Sequence, residues 1–175
     1  MTNPSKPFVH YLHRIKAILQ HNSALEPMLH KALCDDMFVL HQQLTTAISF
    51  SLRCCCALIG RNVVSFKRDE ASIDALIAEI DDTLGYLNAM SEQDFVGYEQ
   101  QQISFEAGFA HNSLSGADFV VMYALPNFIF HYSVAYAILR SNGLALGKAD
   151  FDGFHHYPAG FSFLTPSCHT ANLQG

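Results

Sequence analysis

Three stretches in the first half of the chain repeat apolar residues every three or four positions, which is the pattern of amphipathic helices. The first predicted helix begins near Pro7, an acceptable early helical residue. The second spans about residues 35–59 before Gly60, and the third spans about 72–90. Their apolar stripes are Phe8, Leu12, Ile15 and Leu19; Met37, Leu40, Leu44, Ile48, Leu52, Cys55 and Ile59; and Ile73, Leu76, Ile77, Ile80, Leu84 and Leu87.

Polar residues of the first and third helices fall opposite these stripes. His10 and His13 have a spacing that can chelate a metal, but they share their face with Arg14, which favours a solvated surface. The third helix carries four acidic residues that we expect to face water rather than to converge on a metal: Asp74, Glu79, Asp81 and Asp82.

The segment 91–114 changes character from helical to alternating. Ile103, Phe105 and Ala107 alternate with polar residues and are followed by Gly108, which predicts a short β-hairpin with glycine in its turn. Two strands alone are marginally stable, so the hairpin must pack against the helices or a partner.

A long apolar helix is predicted at about 116–142, starting at Ser115 with Asp118 in a capping-box arrangement. Pro126 lies inside this helix and should kink it, because proline removes a backbone donor. Apolar residues cover nearly every direction of the helix, which predicts burial on more than one side. We therefore expect it to be the central helix, with part of its surface as a subunit interface.

Glycine and proline interrupt the chain after this helix. Residues 1–153 are expected to form the bundle domain, and 154–175 an irregular extension of the same domain. The extension contains His155, His156, Cys168 and His169, but without the spacing of a metal site.

Composition narrows the class of protein. Half of the 175 residues are apolar, so one domain can bury a sizeable core, and the formal charge of −6 with only ten basic residues argues against nucleic-acid binding. The N-terminus lacks the features of a signal peptide, and polar residues interrupt the best candidate membrane span. We expect a soluble, cytoplasmic protein that does not bind membranes. Adjacent Cys54, Cys55 and Cys56 point in different directions and are expected to be buried thiols.

Several segments resemble a known family. DDMF at 35–38, the Gln- and Thr-bearing stretch 42–47, and ALPNFIFHYSVAYAILRSNGLALGKADFDG at 124–153 are similar to a bacterial family of unknown function in the DinB-like superfamily. The resemblance implies an all-α, up-down four-helix bundle, often dimeric, with a β-hairpin between helices 3 and 4. It leaves the last twenty or so residues as an irregular tail.

The wider superfamily commonly holds a metal on three histidines, one from the second helix and two from the last at H-x-x-x-H spacing. His41 and His131 match the first two positions, but the third is Ala135, which cannot ligate. The phenols of Tyr132 and Tyr136 are poor ligands at neutral pH. We therefore expect no bound metal and no other cofactor.

Asn127 and His131 form an i, i+4 pair just after the proline, within the most apolar part of the chain. One interpretation is that these groups satisfy each other and the kinked backbone. The other is a small polar pocket between the second and last helices, binding a small molecule through His41, Asn127, His131, Tyr132 and Tyr136. An alternative function is a DinB-like enzyme of transferase or hydrolase type, using His41 and His131 with a metal or a thiol cofactor.

Overall fold

Helices dominate the architecture, as the sequence predicts. The structure is a computed structural model that describes residues 3–21, 25–158 and 161. Four helices form the DinB-like up-down bundle: α1 (Lys6–Gln20), α2 (Leu40–Leu58), α3 (Ile73–Asn88) and α4 (Gly116–Ser141). A short helix, α5 (Lys148–Asp152), follows α4. Single 3₁₀ turns lie at Glu26–Met28, Glu92–Phe95 and Tyr98–Gln100.

The apolar stripes predicted from the sequence form one core. α2 packs along α4 and α3, while α1 packs against α3 and α5. Phe8 of α1 meets Phe128 of α4 edge to face, with 5.3 Å between ring centroids, and both side chains are fully buried. Cys54, Cys55 and Cys56 are also fully buried as free thiols, as expected.

α2 begins five residues later than predicted. Residues 35–39 are turn and extended chain, because Val39 adopts ψ 162° and leaves the helical region. The first backbone donors of α2 bond outside the helix: Leu40 N–H donates to the Lys31 carbonyl at 2.8 Å, and His41 N–H to Leu29 at 3.0 Å. This late start frees Phe38 to lie against α4, a position that the predicted helix did not give it.

The predicted hairpin is present between α3 and α4. β1 (Gln102–Ala107) pairs antiparallel with β2 (Ala110–Ser115) through a two-residue turn in which Gly108 has φ +61°. Ile103 is buried, and the ring of Phe105 packs against Phe119 of α4 at 5.0 Å between centroids. The hairpin therefore obtains its support from the start of α4.

α4 contains a wide turn just before its proline. Ser115 caps the helix by accepting a hydrogen bond from Asp118 N–H at 3.1 Å, as the capping box predicts. Phe119–Ala124 is π-helical, and regular α-helix resumes at Leu125–Ser141. The expected proline distortion therefore takes the form of a π turn. The regular hydrogen-bond pattern of the α-helix is interrupted just before Pro126, which has no backbone N–H to donate.

α4 is also the one helix in the described ranges that is long and apolar enough, by length and composition, to cross a membrane. Its best 18-residue window has a mean hydropathy of 1.2, and 39% of that window is buried. The central helix of a soluble bundle passes the same test, so this property alone is weak evidence for a membrane span.

The polar face of α1 is not simply solvated. Arg14 donates hydrogen bonds to the carbonyls of Ala149 and Asp150, and the Nε2 of His10 lies 2.7 Å from the Asp152 carbonyl oxygen. These contacts attach α5 to α1, which corrects the expectation that this face is solvated. Residues 154–158 are irregular as predicted, while Cys168 and His169, which lack the spacing of a metal site, lie outside the described residues.

Candidate functional site around His131

His131 lies where α4 faces α2, within a cluster of aromatic rings. The rings of Phe50 and Phe38 lie nearly parallel to the imidazole, with centroids 5.7 and 6.3 Å away, and Phe130 meets it edge to face at 5.2 Å. Phe38 and Phe130 are each about half exposed (51% and 52%) although they are large apolar side chains. The cluster is therefore a partly open aromatic wall around one imidazole.

Gln43 of α2 sets the tautomer of this imidazole. The Gln43 side chain is 2% exposed, and its amide Nε2 donates to the Phe38 carbonyl at 3.2 Å. The amide oxygen is thereby turned towards His131, where it accepts a hydrogen bond from Nδ1–H at 2.7 Å. A neutral imidazole with its proton on Nδ1 carries a lone pair on Nε2. Among the described residues, no hydrogen-bond partner contacts that nitrogen.

Burial reinforces the neutral form of His131. Desolvation lowers the pKa of the imidazole below 6.5, so the ring is uncharged at neutral pH. An uncharged imidazole with a positioned lone pair can accept a hydrogen bond, take up a proton or bind a cation. The site therefore offers one oriented acceptor inside an apolar wall.

A cation lies beside the same wall. The guanidinium of Arg53 lies over the Phe50 ring at 4.6 Å from its centroid and donates to the Tyr123 hydroxyl at 3.4 Å. That hydroxyl in turn donates to the Glu106 carbonyl of β1 at 3.4 Å. The hairpin, α2 and α4 are thus linked at the edge of the His131 site.

Asn127 lies one turn before His131 but bonds to its own helix. Its side-chain amide donates to the Tyr123 carbonyl at 2.7 Å, within the wide turn before Pro126. The pair therefore satisfies its polar groups separately, Asn127 through the distorted backbone and His131 through α2. This answers why polar residues sit in the most apolar part of the helix.

The two tyrosines among the predicted site residues serve another part of the fold. The Tyr132 hydroxyl donates to the Phe151 carbonyl at 3.0 Å, and the Tyr136 hydroxyl donates to Leu146 at 3.3 Å. Tyr132 is buried and stacks on the Phe151 ring at 4.3 Å, and desolvation raises the pKa of its phenol well above 10. The structure thus uses both phenols to attach the chain after α4, apart from the Gln43–His131 pair.

His41 leaves α2 on a different side from the His131 site. Residues two apart on an α-helix project about 200° apart, so His41 points nearly opposite to Gln43. Desolvation lowers the pKa of His41, and the nearby positive charges of Lys67 and His30 lower it further. Among the described residues no hydrogen bond or ring contact joins His41 to His131, and no group of three metal-ligating side chains is present.

Sequence reasoning missed two residues of interest. Gln43 was visible only as part of a polar stretch after His41, and its bond to His131 depends on how α2 packs against α4. Glu79, expected to face water, is 4% exposed, which corrects that prediction. It lies at the edge of the α3 stripe, between Leu76 and Thr83 on the helix, and desolvation raises the pKa of its carboxyl to about 7.

The fold and the side chains around His131 define a DinB-like helical bundle, and its described residues contain no three-histidine metal site. The chain belongs to the family described as a domain of unknown function, DUF1993, whose profile matches residues 1–152. It is similar to the crystal structure of a DinB family member protein from Shewanella denitrificans, with a TM-score of 0.77 and 28% identity. That likeness covers 89% of this chain and 92% of the other. None of the curated proteins compared matches the chain.

These comparisons confirm the resemblance that the sequence suggested and the fold that it implied. The long motif at 124–153, which carried most of the resemblance, forms most of α4 together with α5. The same motif supplies His131, so the family match and the candidate site meet on one helix.

Proposed function

We propose that this chain is a small-molecule-binding helical bundle in which His131 is the principal polar contact for the ligand. The observation that carries the proposal is the Gln43–His131 hydrogen bond at 2.7 Å, which fixes a neutral imidazole with Nε2 available. Partly burying the Nε2 lone pair without a partner costs free energy, and a ligand that donates a hydrogen bond to Nε2 offsets that cost.

The wall around His131 sets the class of ligand. Parallel aromatic rings at Phe38 and Phe50 favour a flat, apolar body, and Nε2 requires a hydrogen-bond donor on its edge. We therefore propose an aromatic ligand with a hydroxyl or N–H group.

Phenol and toluene test this proposal, because they share a ring and differ in the donor. Two-dimensional NMR of the histidine ring nitrogens should show a change at His131 Nε2 with phenol and not with toluene. A His131→Phe variant should bind the two compounds equally, while His111→Phe, on the exposed hairpin, should keep the preference for phenol. Equal binding of phenol and toluene by the unaltered protein would contradict the proposal.

The alternative is a DinB-like enzyme using His41 and His131 with a metal or thiol cofactor. The opposite projections of His41 and Gln43 on α2 favour binding over that mechanism. Metal analysis of the purified protein separates the two: stoichiometric zinc, nickel or iron that is lost in His131→Ala would support the enzyme and overturn the binding proposal.

We also propose that the protein acts as a homodimer in the cytoplasm, with the exposed face of α4 against a second copy. Between Asp118 and Arg140 the helix carries no Asp, Glu, Lys or Arg, although Val121 and Met122 are 61% and 67% exposed. An uncharged, exposed helix face is typical of a surface that another protein covers.

Light scattering at micromolar concentration tests the dimer. The unaltered chain should have twice the mass of one copy, and Met122→Glu should shift it to the monomer. Val63→Glu makes the same kind of change at an exposed position outside α4 and should leave the dimer intact. A monomeric unaltered chain would refute this proposal.

A further inference from the structure

A cavity lies between α2, residues 64–67 and α3. Its volume is about 300 Å³, at the lower end of the range for small-molecule pockets. Its polar lining residues are Thr45, Thr46, Ser49, Ser65, Lys67 and Glu79, together with Arg53. The proposed binding at His131 uses none of these hydroxyl, ammonium or carboxyl groups, although Arg53 also borders that site through the Phe50 ring.

Glu79 is the unusual member of this cavity. The residue is 4% exposed and lines the cavity, and no hydrogen bond or ion pair joins its carboxyl to another described residue. Buried carboxyls in proteins are normally paired or hydrogen-bonded, because desolvation is costly. The Glu79 oxygens open onto the cavity, whereas one turn later on α3 the Thr83 hydroxyl is fully buried without a partner in the described part of the chain.

The nearby cations do not neutralise Glu79 directly. Arg68 pairs with Asp82, and the Arg53 guanidinium is held over Phe50 and at the Tyr123 hydroxyl. Lys67 lines the same cavity and acts electrostatically on Glu79, yet the two do not form an ion pair within 4.0 Å. A carboxylate and an ammonium therefore share one cavity with a gap between them.

The hydroxyls along the cavity present acceptors on the side of α2. The hydroxyls of Thr45 and Thr46 both donate to the Gln42 carbonyl, at 3.2 and 2.6 Å, so only their lone pairs remain for a ligand. The Ser65 hydroxyl oxygen accepts from the backbone N–H of Lys67 at 3.3 Å, which leaves its proton free to donate. The cavity thus has an acceptor-rich side near α2 and α3, and a donor side at residues 65–67.

We propose that this cavity binds a small free α-amino acid, with its ammonium group at Glu79 and the α2 threonines and its carboxylate at Lys67 and Ser65. A zwitterion matches both sides at once, because its ammonium offers three donors and its carboxylate needs donors and positive charge. The cavity of about 300 Å³ has room for a whole free amino acid, and glycine, alanine and serine are the simplest probes of its two polar ends.

Saturation-transfer NMR of the full chain with glycine, L-alanine and L-serine tests the proposal, with methylamine and acetate as the two separate halves. The amino acids should bind at millimolar or lower concentration, and each half should bind about tenfold or more weakly than the whole. Glu79→Gln and Lys67→Gln should each weaken amino-acid binding about tenfold or more. Asp74→Asn, an exposed carboxyl on α3 outside the cavity, should not change it.

Three results would overturn the proposal. The first is no saturation transfer to any of the three amino acids in the folded, unaltered chain. The second is unchanged affinity in both Glu79→Gln and Lys67→Gln, with circular dichroism confirming that the variants are folded. The third is equal affinity for methylamine and glycine, which would leave the carboxylate without a role.

Discussion

Replacing Glu79 by glutamine should stabilise the ligand-free protein at alkaline pH. The carboxyl is buried on α3 without a partner among the described residues, and desolvation raises its pKa from 4.5 to about 7. Each tenfold change in proton affinity corresponds to about 1.4 kcal/mol, so ionising Glu79 in the folded state costs up to about 3 kcal/mol. Glutamine has the same shape and no charge, and removes this cost.

The sign of the effect depends on pH in a defined window. Because the folded pKa is above the unfolded one, the folded state holds the Glu79 proton more tightly between pH 4.5 and about 7. The unaltered protein therefore loses stability as pH rises through that window, and the loss is complete above it. The variant and the unaltered protein should be equally stable below the window, and the variant should be more stable above it.

Urea denaturation of both proteins, followed by circular dichroism, measures this difference. At about pH 8.5 the free energy of unfolding of Glu79→Gln should exceed that of the unaltered chain by about 2–3 kcal/mol. This is slightly less than the full cost of ionisation, because solvent in the adjoining cavity partly stabilises the charged carboxylate. The gain should disappear near pH 4.5. Asp74→Asn should show no comparable difference, because Asp74 is exposed.

The reasoning would be refuted by a Glu79→Gln variant that is less stable at pH 8.5, or by a gain that is independent of pH. The first result would mean that the ionised carboxylate has a stabilising partner. The second would mean that the effect comes from packing and not from ionisation.

Three further changes have definite expected results. Gly116→Ala should cost about 3 kcal/mol or more in thermal or urea unfolding, because its Cβ would lie 2.0 Å from the Tyr98 carbonyl oxygen. Gly85→Ala should instead raise the free energy of unfolding by about 0.5–1 kcal/mol, because Gly85 lies in the interior of α3 and nothing is within 4 Å of the added Cβ. Equal effects of the two glycine substitutions would contradict this geometry. Gln43→Leu leaves the His131 Nδ1–H without its partner and should cost about 1–3 kcal/mol, and an unchanged nitrogen chemical shift at His131 would show that the bond does not form.

Much of the fold follows from local patterns in the sequence. The stripes of α1 and α3, the capping residue Ser115 and the glycine of the hairpin turn each act within a few residues, and all are found as predicted. The predicted start of α2 is wrong. The backbone N–H groups of Leu40 and His41 donate to the carbonyls of Lys31 and Leu29, and this contact outside the helix is not visible in the periodicity of the sequence.

The candidate site was less predictable for the same physical reason. His131 was identified as a polar residue in an apolar helix, but its partner Gln43 is 88 residues away in the sequence and depends on helix packing. Glutamate is usually a surface residue, and Glu79 lies at the border of the apolar stripe of α3. At such a position a small rotation of the helix determines whether the side chain is exposed or buried. Tyr132 and Tyr136 were grouped with His131 by sequence proximity, although their hydroxyls bond to the chain after α4.

The π-helical stretch Phe119–Ala124 has a consequence for how this chain tolerates insertions and deletions. A π turn accommodates one more residue than an α turn, so everything before it is rotated by about 100° relative to an uninterrupted helix. Deleting a single residue there would shorten α4 and also rotate the attached hairpin about the axis of α4, away from Tyr123. The number of residues in this stretch therefore determines the angle at which the hairpin lies around α4, and an insertion or deletion here rotates the hairpin about that helix.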